Sequence, residues 1–300
     1  MNDREKRIYE FMASAHHPQV NSIAVWENGM IRAECYFNGF NAESRHVIQS
    51  VVKSILSIGI GIAQDEELLS IEDRISKFLP EFDEQRDMRH RMIRIKHLLT
   101  MSSGIYWQGG VHYHCPMMDA MCRSGNWVDY IADCKVKDIP GAFYNYKEFD
   151  VILLSVILSK ATGDAFDYIN VKLFGPLEIN NDRWWHPAGV YYSPAPNKEY
   201  EMASALTARD MIKIGQLFLQ KGMWNGRQII SEEYIRSATA PSPANPGYGF
   251  LWWLGEGWYG CRGFGGQTVT VFPEKERIVV TQATVTDRPL HYEDIYFADI

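Results

Sequence analysis

The sequence predicts an α+β fold: one antiparallel sheet built from both chain ends and flanked by helices, with a mainly helical region inserted between them. Three observations predict it. Alternating apolar runs lie on either side of Asn28-Gly29, strand-like runs separated by Gly-rich or charged turns fill the last quarter, and apolar stretches of helical length lie between. Strands at both ends with helices between them close as a single sheet. The expected division is a sheet region over 1–65 and 200–300 and a helical region over 66–199.

The chain opens with an amphipathic segment, Glu5 to Ala13, followed by Ser22 to Trp26 and Ile31 to Phe37, which read as a β-hairpin about Asn28-Gly29. Ser50 to Ala63 is a buried helix, because Ile55, Leu56, Ile58, Ile60 and Ile62 leave it no polar face. Leu68 to Asp73 gives a capped helix start and Phe78-Leu79-Pro80 a stop. Ile95 to Thr100 is a short helix closed by Ser102-Ser103-Gly104, and residues 106–126 read as a long loop, a length that favours a functional role. Phe149 to Ala161 is an apolar helix ending at Thr162-Gly163, and Thr207 to Lys221 is another, capped by Thr207 and stopped by Gly222. Phe250 to Leu254, Thr268 to Phe272 and Ile278 to Ala283 are strands, the last two joined through Pro273-Glu274-Lys275-Glu276. No repeat or low-complexity tract interrupts the series.

Composition narrows the class. At 300 residues and 46% hydrophobic content the chain can bury a large core. A net charge of −7 without any basic stripe excludes nucleic acid as a partner, and no apolar run is long enough to span a membrane. The charged start, Met1 to Glu10, is unlike a signal peptide, so the expected location is cytoplasmic. Five cysteines without C-x-x-C spacing read as reduced thiols. His112-Tyr113-His114-Cys115 offers soft ligands, yet no second cluster accompanies it and no metal is expected.

The chemistry is carried by Ser50-Val51-Val52-Lys53. On a helix the hydroxyl and the amine, three residues apart, share a face. A serine hydroxyl is a weak nucleophile until a neighbour takes its proton, and burial disfavours the charged form of an amine. At the helix start the N–H of Ser50 is also free to hold an oxyanion. One S-x-x-K is about what chance gives in such a chain, so this pair needs company. Trp252 and Trp253 alternate on a strand, one for the core and Trp253 for the cleft, and Trp107 in the long loop is placed to cover a substrate.

The company comes as a series. SVVKSILSIGIGIAQDEELLSIEDRISKFLPEF from Ser50, IRIKHLLTMSSGI from Ile93, LTARDMIKIGQLFLQKGMWNGRQIIS from Leu206, YGFLWW from Tyr248 and GFGGQ from Gly263 stand in an order that resembles the serine β-lactamase and penicillin-binding family. Within it they resemble the class C-like branch and, more narrowly, the 6-aminohexanoate-dimer hydrolases and esterase-like serine hydrolases. The resemblance implies a β-lactamase/transpeptidase-like fold, one catalytic unit overall, and a cofactor-free hydrolase acting through an acyl-enzyme on a small ester or amide. It leaves β-lactamase and D-alanyl-D-alanine peptidase as alternatives, and a non-catalytic sensor or binding module as the alternative from another class. It leaves the oligomeric state open.

The resemblance also implies roles. Of Tyr144 and Tyr146, the count back from Thr162-Gly163 puts Tyr146 in the family's tyrosine position, as a proton relay beside Lys53. Glu148 then stands where the family has asparagine; facing Lys53 it holds the amine's proton and repels acidic substrates, and facing outward it does neither. The family's third element is a strand beside the nucleophile. Phe264-Gly265-Gly266-Gln267 occupies that place, with Gly265 and Gly266 lying against substrate and the N–H of Gln267 completing the oxyanion hole with that of Ser50. Phe264 replaces a cation that would hold a carboxylate, which disfavours β-lactams.

Overall fold

The computed structural model describes residues 1–14, 17–109, 115–180 and 205–286. The expected hairpin is formed by β1 (Val20–Glu27) and β2 (Met30–Tyr36), and Asn28 and Gly29 turn it with φ values of 49° and 84°. Two short ribbons follow, β3 (His46–Val47) with β4 (Ala205–Leu206) and β5 (Met223–Trp224) with β6 (Arg227–Gln228). The chain end supplies β7 (Trp253–Gly255), β8 (Trp258–Gly263), β9 (Gln267–Phe272) and β10 (Arg277–Ala283). The six long-sheet strands run in the order β2-β1-β10-β9-β8-β7. Both ends therefore meet at the sheet centre, where Ile23 faces Thr281 and Val25 faces Val279 across an antiparallel ladder.

Strand alternation gives the sheet two apolar faces. One carries Ile23, Val25, Ala33, Cys35, Phe272 and Val279, covered by Ile8 of α1 (Asp3–Ser14). The other carries Ala24, Val269, Val271, Ile278 and Val280 and joins the larger core. That core contains α2 (Val51–Asp65), buried at every position from Val51 to Ala63. Each fully buried Ile or Leu there contributes about 1.5–3 kcal/mol. Gly61 permits the close approach, since a Cβ on it would lie 2.6 Å from Ile230 and Tyr234.

The helical region holds α3 (Met88–Met92), α4 (Ile95–Leu99), α5 (Pro116–Arg123), α6 (Trp127–Ala132), α7 (Glu148–Thr162) and α8 (Ala165–Ile169), the last continuing as a π-helical turn, Asn170–Phe174. Between an acidic first turn, with Glu148 and Asp150, and the exposed Lys160, α7 is mostly apolar; it packs on α2 and ends at Gly163 with φ 95°. α9 (Ala208–Leu219) starts in a capping box in which Thr207 and Asp210 exchange bonds, and α10 (Glu232–Ala238) follows.

The structure corrects four expectations. The segment after α2 forms two 3-10 turns, Ile75–Lys77 and Pro80–Phe82, rather than one helix, because Pro80 breaks the run. The stretch expected as a loop over 106–126 contains α5, which uses Pro116 in its first turn. The strand expected from Phe250 begins only at Trp253, since Leu251 has φ 61° and donates its N–H to Leu99 O. β8, read as turn, is a strand.

Candidate active site

The turn into α2 is tight. Gln49 adopts φ 51°, a left-handed conformation uncommon outside glycine, and delivers Ser50 to the helix start. Ser50 occupies the N-cap yet its hydroxyl makes no capping bond. It accepts instead from Lys53 Nζ at 2.7 Å. The lysine is 1% exposed, so its stem lies in the core and its amine is held out of water beside Ser50. Among the described residues, no acceptor takes the N–H of Ser50, while those of Val51 and Val52 close on Ile48 and Gln49.

The structure brings Glu148 to the same amine. Lys53 donates to Glu148 Oε1 at 3.3 Å and lies 3.0 Å from Oε2, so of the two orientations open in the sequence the inward one is observed. Tyr146 arrives from the same segment, its ring centroid 5.0 Å from Lys53 Nζ. Trp253 stacks on Tyr146 at 5.9 Å, and Tyr248 abuts both rings. Tyr144 packs against Tyr248 at 5.1 Å; its hydroxyl is buried without a hydrogen-bond partner, and burial pushes the phenol up. Trp252 points the other way, fully buried and stacked on Phe218 at 4.0 Å. Trp107 is half-buried, edge-on to Phe149 at 4.8 Å, one residue along from Glu148.

The third element differs from its expected form. Phe264, Gly265 and Gly266 make the turn between β8 and β9 rather than a strand, with φ 80° and 109° at the two glycines, and Phe264 is exposed. Gln267 heads β9, an inner strand with β8 on one side and β10 on the other. Its side chain exchanges bonds with the Ala283 backbone. At Gln267 the ladder with β10 has already ended, at Thr268 opposite Thr281, and its ladder partner is Gly263 of β8. The strand beside the nucleophile is β8: a Cβ on Gly263 would fall 2.3 Å from Ile48 O and 3.1 Å from Gln49 Cβ, against the turn that presents Ser50. Pairing of β8 with β7 stops at Gly260, short of this contact.

Sequence reasoning passed over Arg262 on that strand, whose guanidinium lies 4.6 Å over Trp258 and 6.0 Å from Trp253. A lone cation in a Gly- and Trp-rich stretch was the available signal. It also passed over a second buried lysine. Lys147, 1% exposed, donates to Ser103 Oγ at 3.1 Å and to Asp150 Oδ2 at 3.2 Å, and Ser103 Oγ donates to Asp150 Oδ1 at 2.6 Å. Asp150 is fully buried, and burial raises its pKa against the lowering pull of Lys147 and Ser103. His112 and His114 lie outside the described residues, and Cys115 is buried with its thiol on Gln108 O. Among the described residues no group of three or more His, Cys, Asp or Glu is placed to hold a metal ion, and no helix is long and apolar enough to cross a membrane.

Against known proteins, the family model described as Beta-lactamase matches residues 5–299. The 6-aminohexanoate-dimer hydrolase of Paenarthrobacter ureafaciens is 20% identical over 250 residues, 79% of this chain and 60% of that protein. Among solved structures, a putative beta-lactamase from Bacteroides dorei superimposes with a TM-score of 0.76 at 17% identity, covering 96% of this chain and 92% of its own. EstCE1, a hydrolase with promiscuous acyltransferase activity, superimposes with a TM-score of 0.75 at 16% identity, covering 97% and 96%. At these identities the structural likeness speaks for the fold.

Proposed function

The chain belongs to the Beta-lactamase family, a family of serine hydrolases, and from that premise we propose that it hydrolyses a small ester or amide through an acyl-enzyme on Ser50. The observation that carries this reading is the 2.7 Å contact between Ser50 Oγ and an amine held 1% exposed. Ser50 Oγ attacks the substrate carbonyl and its proton passes to Lys53. Glu148, 3.0 Å away, stabilises the ammonium that forms, as a buried carboxylate does for an imidazolium in other hydrolases. Tyr146, beside the same amine, relays the proton to the leaving group, and the reverse relay activates water for deacylation. The oxyanion is held by the N–H of Ser50 and one from the β8–β9 hairpin. Gln267 is the family's position for it, and the packing of Gly263 on Ile48 favours the β8 side.

The cleft suits uncharged acyl groups. Trp253 and Trp107 border the segment of Tyr146 and Glu148, Phe264 stands at the hairpin turn, and Glu148 adds a negative charge at the amine. Labelling with a fluorophosphonate and with a penicillin probe, followed by identification of the modified peptide, tests the reading. Fluorophosphonate on Ser50 with weak penicillin labelling is expected. Modification at another residue, or none, would overturn it.

A further inference from the structure

The two buried lysines have matching surroundings. Lys53 meets a serine hydroxyl and a carboxylate at the cleft, and Lys147 meets Ser103 and Asp150 in the core. The second set is sealed: Ser103 and Asp150 are 0% exposed, so no substrate reaches it. Its hydrogen bonds are closed among themselves and onto the backbone, with Ile105 N–H donating to Ser103 Oγ at 3.2 Å.

Stability alone gives no reason for this arrangement. Two charges taken out of water are held at a large desolvation penalty, and well-packed apolar residues of similar volume serve as well or better. What the arrangement does is geometric. Lys147 is extended, with φ −152° and ψ 152°, so its side chain leaves the strand-like segment opposite to those of Tyr146 and Glu148. With Lys147 anchored in the core, both neighbours face Lys53. A slip by one residue would instead bring the Lys147 ammonium against that of Lys53, and bury Tyr146 or Glu148.

We propose that Ser103, Lys147 and Asp150 form a positioning clamp that fixes the Tyr146 to Glu148 segment against Lys53. The clamp joins the loop after α4 to the first turn of α7, and Asn145 N–H donating to Met101 O at 2.9 Å ties the same two segments one step upstream. None of the three touches a substrate; they act through Tyr146 and Glu148. The inference rests on the hydrolase reading for its kinetics but on geometry for its existence.

The test is the double substitution Lys147→Met with Asp150→Leu, which removes both charges and keeps the volume. A melting temperature equal to or above that of the parent is expected, together with a fall in kcat of at least tenfold on a short-chain p-nitrophenyl ester and KM within about twofold. A crystal structure of the variant should show Glu148 more than 4 Å from Lys53, or Tyr146 off its amine. Unchanged positions of Tyr146 and Glu148 in a folded variant overturn the clamp whatever the activity. Unchanged kcat at retained stability does the same. If the double variant does not fold, Ser103→Ala is read in its place, and full kcat in that folded protein overturns the proposal. Failure of the parent protein to react with fluorophosphonate or ester sinks the hydrolase reading instead, and the structural comparison still decides the clamp.

Discussion

At the scale of the residue, the distances around Lys53 set what each substitution does. Ser50→Ala removes the hydroxyl that the buried amine meets at 2.7 Å, the proposed nucleophile, so ester turnover and labelling should fall together by roughly three orders of magnitude or more, with circular dichroism unchanged. Activity retained in that variant would sink the assignment. Glu148 acts in the opposite sense on pH. Its carboxylate at 3.0 Å favours the proton on Lys53, whereas the amine must be neutral to accept one from Ser50. Glu148→Gln should therefore move the acid limb of the kcat/KM profile about one unit to lower pH; a limb that stays in place would exclude Glu148 from the relay. On the proposed reading, Phe264 sets charge preference at the hairpin turn. Esters should be turned over with higher kcat/KM than penicillins, and Phe264→Lys should narrow the gap by about tenfold, the equivalent of one charge-assisted hydrogen bond. A ratio unmoved by that change, with Ser50 still labelled, would count against the substrate class.

At the scale of the element, α4 shows how a helix end responds to acid. His97 accepts the Arg94 N–H at 3.1 Å through Nδ1, which requires a neutral ring, and burial, aided by Lys96 and Arg94, lowers its pKa from 6.5 to about 4. A base with a depressed native pKa stabilises the fold fully above its unfolded value and loses that contribution as pH falls toward the native one. Stability should thus decline between pH 6.5 and about 4, by on the order of 1 kcal/mol given the partial exposure. Urea midpoints across that window, in the parent and in His97→Asn, check it: the decline should be smaller in the variant. The same scale explains what was legible. α2, α7 and α9 are apolar runs with their stops written beside them, as at Thr162-Gly163 and Gly222, and the Ser50–Lys53 contact follows from helical spacing. β8 was hidden, because Trp258-Tyr259-Gly260-Cys261-Arg262-Gly263 has neither alternation nor β-branched residues; pairing with β7 and β9 makes it a strand. Lys147 and Asp150 were passed over, since nothing local tells that both are buried. Tyr146 and Glu148 were reached through resemblance, because their approach to Lys53 spans nearly a hundred residues of chain.

At the scale of the whole molecule, sheet and helical region share one core, in which Val269 and Ile278 of the sheet, Ile55 and Ile58 of α2, and Leu153 and Leu154 of α7 belong to the same cluster. With α2 buried between both parts, neither has a complete core of its own. Unfolding should be a single transition, with tryptophan fluorescence and far-ultraviolet ellipticity giving the same midpoint; two separated midpoints would mean two independent units. The pairing of β1 with β10 reaches further, into protein synthesis. A ribosome adding about 5 to 20 residues per second delivers β1 on the order of tens of seconds before its central partner exists. Throughout that interval the nascent chain displays a Val- and Ile-bearing strand edge with no neighbour on one side, the kind of surface that holding chaperones bind. A message cut short anywhere before β10 yields a protein without the middle of its sheet, so hydrolytic activity in a cell would report only chains read through to that strand.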